Sequence, residues 1–220
     1  MVRYFMKLLL HVCCAPCSVM CIETLKSEGI ETELYWYNPN IHPFTEYKSR
    51  RDCLAGYAKN LGLAFVVEDE YGLRDFIAGL QCRNTGPRSD PFAFPGRCAF
   101  CYRLRLEKAA RAAKERGIDA FSTSLLISPY QDHELVKKTA QAAAKRYGVE
   151  FVYRDFRPFF REGQTKARAA GCYMQKYCGC VFSEEERYRG TSRRPEQALY
   201  RDRAATAAPK SEACSTGVIT

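Results

Sequence analysis

Apolar residues in this chain fall into short runs that alternate with longer stretches in which apolar positions recur at helical spacing. Residues 7–12, 31–37, 64–67, 120–122 and 150–153 read as strands, because each is a compact apolar run. The stretches at 18–28, 45–61, 98–116, 131–147 and 162–170 read as helices. Gly29, Gly62, Gly117 and Gly148 follow four of these helices just ahead of the next strand, where glycine suits a left-handed C-cap. A β-α-β rhythm with short connections predicts an α/β fold with a mainly parallel, doubly wound sheet covered by helices on both faces.

The segment "QCRNTGPRSDPFAFPG", residues 81–96, is rich in Pro, Gly and Arg and reads as an irregular loop over the ligand edge of the sheet. Periodicity fades from Gly190 onward. The expectation is therefore one α/β catalytic domain over residues 1–189 and a flexible basic tail over 190–220, with a lone Cys214 in it. No internal repeat is visible.

Composition sharpens this picture. In 220 residues there are 12 cysteines, and the net charge is +9 with a pI near 9.0. The first ten residues carry Arg3 and Lys7 and lack the pattern of a signal peptide, so a reducing, cytoplasmic setting is expected. There, closely spaced cysteines bind metal or do redox chemistry more often than they form structural disulfides. No apolar run approaches the roughly 20 residues that a membrane helix needs. The positive charge favours a polyanionic partner, of which nucleic acid is the commonest.

Three cysteine groups stand out. "LLLHVCCAPCSVM" puts Cys13, Cys14 and Cys17 where the first strand ends; "RCAFCYRLRL" carries Cys98 and Cys101; "YCGC" carries Cys178 and Cys180. The end of a first strand is a ligand-binding place in open α/β sheets. Cys98 and Cys101, two residues apart at the start of a helix, share one face near a dipole that favours thiolates. Four thiolates from Cys13, Cys14, Cys98 and Cys101 suit zinc or a four-iron, four-sulfur cluster. Adjacent cysteines joined by a single CxxC favour iron–sulfur.

Cys178 and Cys180 flank a glycine. With Cys17 they make a second metal site, or by themselves a strained, easily reduced disulfide. Cys21, Cys53, Cys82 and Cys172 read as small buried hydrophobes. The turn after strand one holds no glycine, which argues against a nucleotide phosphate loop there.

Polar and aromatic residues gather after the other strands. "YWYNPNIHPFTEYKSR" supplies Tyr37, Asn38, Asn40, His42, Tyr47 and Arg50; "STSLLISPYQDHE" supplies Ser128, Tyr130, Gln131, Asp132 and His133; "YRDFRPFFREG" supplies Arg154 and Arg157. Aromatic faces stack bases, arginines hold phosphates and amides read base edges. Trp36 reads as core, Asp155 as a surface partner of Arg154 or Arg157, and the series Arg97, Arg103, Arg105, Lys108, Arg111, Lys114 and Arg116 as a solvated helix surface.

These stretches, with "GCYMQKYCGCVFSEEERY", resemble the epoxyqueuosine reductase family known as QueH over residues 8–188. The resemblance implies an adenine nucleotide α-hydrolase-like fold. It also implies two-electron reduction of the epoxide of epoxyqueuosine at the wobble position of tRNA, without cobalamin. By motif match, Cys13, Cys14, Cys98 and Cys101 would hold a [4Fe–4S] cluster. Cys178 and Cys180 would be a redox pair or, with Cys17, ligands of a mononuclear iron, and an external electron donor would refill both. Tyr37, Asn38, Asn40, Tyr47, Arg50, Ser128, Gln131, Arg154 and Arg157 become candidate substrate contacts. Tyr130, His42, Asp132 and His133 are candidates to bring a proton to the leaving oxygen. One departure is Phe159 in "FRPFF", where the family commonly has glycine. Two other readings remain open: a cluster-dependent tRNA sulfurtransferase and a zinc-stapled RNA-binding protein.

Overall fold

The computed structural model describes residues 6–82, 92 and 96–189. Five strands, β1 (Lys7–His11), β2 (Glu31–Trp36), β3 (Phe65–Val67), β4 (Ala120–Thr123) and β5 (Glu150–Phe151), form one sheet in the order β3-β2-β1-β4-β5. Every pairing is parallel, with Leu10 of β1 opposite Leu34 on one side and Ser122 on the other. Leu8, Leu9 and Leu10 are fully buried, as expected of a central parallel strand covered on both faces. Each such side chain contributes about 1.5–3 kcal/mol relative to exposure.

The helices are α1 (Ala15–Ser27), α2 (Phe44–Asn60), α3 (Leu73–Gln81), α4 (Gly96–Glu115), α5 (His133–Tyr147), α6 (Phe160–Ala169) and α7 (Val181–Tyr188). α1 packs against α2 and α6, and α4 packs against α5. The expected α/β class and doubly wound parallel sheet are thus observed. All four predicted glycine caps have positive φ. At Gly148, φ is 65° and its N–H reaches the Ala144 carbonyl, ending α5 two residues before β5.

Several boundaries differ for physical reasons. α1 starts at Ala15 rather than residue 18, because Pro16 lies in the first turn, where its missing N–H has no helical partner to lose. α5 starts at His133 because Asp132 is its N-cap, accepting the Leu135 N–H at 3.0 Å. β5 spans two residues instead of four. α3 and α7 were not anticipated; α3 buries Phe76 and Leu80, an i, i+4 pair short enough to pass unnoticed. Of the expected loop 81–96, residues 83–91 and 93–95 lie outside the described residues, as do the tail 190–220 and Cys214.

The expected solvated surface of α4 needs correction: Arg97 and Arg105 are buried, at 7 % and 1 % exposure. Cys82 is likewise exposed rather than buried. Among the described residues no helix is long and apolar enough to cross a membrane.

Candidate metal and active site

β1 has β2 on one side and β4 on the other, so strand order reverses at its C-terminal end, the topological switch point. The chain leaves β1 under control: the Val12 N–H bonds the Tyr35 carbonyl at 2.9 Å, and the Asn38 amide donates to the Val12 carbonyl at 2.9 Å. The next residues are Cys13 and Cys14, and the first turn of α1 adds Cys17. Among the described residues these three form a group whose sulfurs all lie within 4.8 Å of one another, and all three are buried. The Cys13 and Cys14 sulfurs are 3.9 Å apart.

One thiol of the three is singled out electrostatically. Hydrogen bonds from Cys14 and Cys17 hold the Cys13 thiol well below its usual range, and the Arg105 cation and the Ser124 hydroxyl help. Burial pushes the Cys14 thiol up, and Cys17 rises chiefly because it serves as donor to Cys13. A triad that shares its protons around one thiolate is a ready set of metal donors.

The other two cysteine groups meet each other. α4 opens with Cys98 and Cys101, and together with Cys178 and Cys180 they line a cavity of about 270 Å³. Cys13, Cys17 and Cys178 line a larger cavity of about 870 Å³. Arg105, Tyr130, Gln131 and Cys178 border both, so the two spaces adjoin. Burial raises the Cys98 thiol to about 11 and raises Cys101 as well. All eleven described cysteines are free thiols.

The segment carrying Cys178 and Cys180 has no strand or helix to fix it until α7 begins, and long-range contacts hold it instead. Arg50, buried in α2, bonds Glu46 and donates to the carbonyls of Tyr177 and Cys178 at 2.9 and 2.8 Å. The Tyr177 hydroxyl donates to the His42 carbonyl at 2.6 Å, and the His42 N–H to the Gly179 carbonyl at 2.8 Å. Gly179 has φ of 147°, and a Cβ there would stand 3.1 Å from Ile41 Cγ1. Glycine is required at this close approach.

Between the cysteine groups lies Arg105. Its Nε bonds the Cys101 carbonyl at 3.3 Å and Nη1 faces Asn38 Oδ1 at 3.5 Å, while Nη2 has no partner among the described residues. Burial opposes its charge, and the sulfurs of Cys101, Cys178 and Cys13 more than offset that. Asn40 Oδ1, Arg97 Nε and Gln175 Oε1, all on cavity-lining residues, are also buried without a partner among the described residues. Native interiors seldom leave such groups unsatisfied, so their concentration here marks a binding place for a polar or charged group. Two carboxamides add N–H donors to sulfur: Gln175 to Cys17 at 3.3 Å and Gln131 to Cys178 at 3.4 Å. Donors to sulfur are what tune a bound iron–sulfur group, and thiols with such donors fit one.

The expected site residues fall into three sets. Cys13, Cys14, Cys17, Cys98, Cys101, Cys178, Cys180, Asn38, Asn40, Arg50, Ser128, Tyr130 and Gln131 surround the two cavities or bond directly to residues that do. The expected grouping put Cys17 with Cys178 and Cys180; in space its sulfur stands with Cys13 and Cys14. Tyr37, Tyr47, Asp132 and His133 are engaged elsewhere, and His42 holds the Cys178 segment without lining either cavity. Tyr37 bonds Glu70 at 3.4 Å, Tyr47 bonds Asp69 at 2.9 Å, and Asp132 caps α5. His42 uses Nε2 on the Pro39 carbonyl at 3.1 Å and Nδ1 on the Val181 N–H at 3.4 Å, and His133 bonds Tyr153 at 2.9 Å. Arg154 and Arg157 are the third set, exposed and paired with Glu28 and Asp155. Glu28 follows the far end of α1, about 20 Å from Cys14 along a helix rising ~1.5 Å per residue.

Sequence reasoning missed Arg105 and Gln175, and also His11. His11 is buried between Thr123 and the Tyr37 carbonyl, and burial with the nearby Arg105 lowers it to about 4. The one available signal was position: each stands within four residues of a singled-out cysteine.

A parallel sheet with clustered thiols, a buried cation and two adjoining cavities at its switch point places this chain among α/β proteins whose thiols could bind a metal. The family model described as "Epoxyqueuosine reductase QueH" matches residues 8–186. The epoxyqueuosine reductase QueH of Dehalococcoides mccartyi is 37% identical over 182 residues, covering 83% of this chain and 94% of that protein. Those of Haemophilus influenzae and Thermotoga maritima are 35% and 34% identical, covering 80% and 81% of this chain and 71% and 91% of theirs. The chain belongs to the QueH family and is an oxidoreductase.

Proposed function

We propose that this protein reduces the epoxide of epoxyqueuosine in tRNA to the alkene of queuosine, at the wobble nucleotide, in the cytoplasm and without cobalamin. Two electrons and two protons convert the epoxide to the alkene and release its oxygen as water, with the electrons drawn from an external donor. The observation that carries this reading is the set of six thiols lining two cavities that meet at Arg105, in a chain of this family.

Cys13, Cys14, Cys98 and Cys101 would hold a [4Fe–4S] cluster, and Cys178 and Cys180 would serve as a redox pair or, with Cys17, bind a further iron. When bound, these groups supply electrons and a Lewis acid for the leaving oxygen. The chain's own residues do the rest. Arg105 holds a fixed positive charge, with a free Nη2 donor, where negative charge gathers. Gln131 and Gln175 aim N–H groups at sulfur. Asn40 and Ser128 border the cavities where a polar nucleoside would lie. Of the four proton-donor candidates, Tyr130 is the one lining the cavities, where it can pass a proton from solvent.

The test is iron, zinc and acid-labile sulfide content, with a visible spectrum, on protein purified without oxygen, followed by turnover of epoxyqueuosine tRNA. Brown protein with sulfide that turns over supports the reading. Colourless zinc protein without sulfide, even after anaerobic reconstitution, replaces it with the zinc-stapled RNA-binding module. Cys178→Ser is expected to keep the visible spectrum and lose turnover; normal turnover removes that thiol from the mechanism.

A further inference from the structure

α6 carries Arg161, Gln164, Thr165 and Arg168 at positions i, i+3, i+4 and i+7, and all four line the larger cavity. That spacing is one helix face, about 10 Å long at ~1.5 Å per residue. The opposite face is buried: Gly163 and Ala167 pack inward, and a Cβ on Gly163 would stand 3.1 Å from Met20 and 3.6 Å from the Pro16 carbonyl. The missing side chain at Gly163 therefore lets α6 lie close to the start of α1, beside Cys17. Lys176 and Arg187 extend the same cavity rim.

These cations differ from most of the arginines that pair with carboxylates on the molecule's surface. Arg51, Arg116, Arg146, Arg154 and Arg157 each hold a carboxylate. Arg161, Arg168, Lys176 and Arg187 form no ion pair with any described residue, and the carboxylate on the rim, Glu186, is already taken by Arg97 at 2.6 Å. Among the described residues, four cations without a carboxylate partner thus line the cavity that holds Cys13, Cys17 and Cys178. Mutual repulsion makes this costly unless a polyanion is present.

We infer that the α6 stripe with Lys176 and Arg187 is the docking surface for the ribose-phosphate backbone of the RNA substrate, a proposal that rests on the tRNA reading above. The placement of the charges favours RNA over an acidic electron-donor protein. They encircle the mouth through which the reacting nucleoside must enter, so phosphates on either side of that nucleoside meet them as it enters. Backbone contacts fix position and register, and base contacts inside the cavity carry specificity.

The test measures binding of an unmodified tRNA transcript to the full chain by fluorescence anisotropy across a salt series. The variant Arg161→Gln/Arg168→Gln/Lys176→Gln/Arg187→Gln is compared with a matched variant that neutralises Lys26, Lys59, Lys138 and Lys145, which are exposed and line neither cavity. Each lost phosphate contact flattens the log–log salt slope by roughly 0.7–0.9, so the rim variant is expected to lose about 3 in slope and at least about tenfold in affinity. The matched variant is expected to stay near the wild type. Equal affinity and slope for rim and wild-type protein overturn the docking surface and leave the reductase reading standing. Loss of reduction by a protein donor at unchanged RNA affinity also overturns it and reassigns the face to that donor. A wild-type chain that binds no tRNA removes the tRNA reading and this surface with it.

Discussion

Two cysteine-bearing regions meet at the centre of this molecule and are held by different means. Cys13, Cys14 and Cys17 sit where a central strand hands over to a helix, and backbone bonds from β1, β2 and α1 set their positions. Cys178 and Cys180 sit on an irregular segment, held by Arg50 and His42 from elsewhere in the chain, with the segment's own Tyr177 reaching back to His42. The first region inherits its geometry from secondary structure. The second depends on a few side chains, each replaceable by a single substitution, so the two regions can be uncoupled experimentally.

The largest effect is expected at Arg50. Arg50→Met leaves the Glu46 carboxylate buried without its cation and removes two donors from the 177–178 carbonyls. Breaking such a buried pair costs about 3–5 kcal/mol. Urea unfolding is expected to show that loss, and alkylation of Cys178 to accelerate while Cys14 stays protected. Parallel acceleration at both thiols would mean that the two regions are one cooperative unit.

Next comes pH. Burial lowers His42 to about 4, against 6.5 when exposed. The unfolded chain therefore takes up a proton first, and the stability that neutral His42 contributes above pH 6.5 is lost as pH falls towards 4. The full shift is worth on the order of 3 kcal/mol. Unfolding titrated between pH 7 and 4 is expected to show this fall, and His42→Gln to flatten it. An unchanged slope in the variant would take His42 out of the contacts that hold the Cys178 segment.

The smallest effect is expected at Gly179→Ala. The backbone there has φ of 147°, and the new Cβ meets Ile41 at 3.1 Å and Arg50 Nη1 at 3.3 Å. A cost of about 1–3 kcal/mol follows from strain and crowding. Thermal unfolding measures it, and a stability equal to wild type would show that this segment relaxes more freely than its contacts imply.

Much of the fold could be read along the chain. The strands declared themselves as apolar runs, and Gly29, Gly62, Gly117 and Gly148 marked helix ends, because buried parallel strands and left-handed caps impose residue types locally. α3 and α7 stayed hidden, being short and carrying too few periodic positions to separate from loops. At the site, the clustered cysteines were legible because metal and redox chemistry demand a particular residue type. Arg105 was not, and Arg50 stood out only as a substrate contact, not as the buried clamp of the Cys178 segment. A charged residue on a helix reads as solvated surface, and these two are buried only because distant carbonyls, carboxylates and sulfurs converge on them.

The sequence by itself determined where the cysteines cluster along the chain and which end of the sheet they occupy, since strand order and residue type act over a few neighbouring positions. Only the tertiary structure decided how the seven cysteines of the three groups associate in space. It brought Cys17 to Cys13 and Cys14, gathered Cys178 and Cys180 with Cys98 and Cys101, and set Arg105 between the two sets. These contacts join positions more than a hundred residues apart in the case of Arg50 and Cys178, and no local pattern encodes them. They follow from packing α2, α4 and the Cys178 segment against one sheet edge.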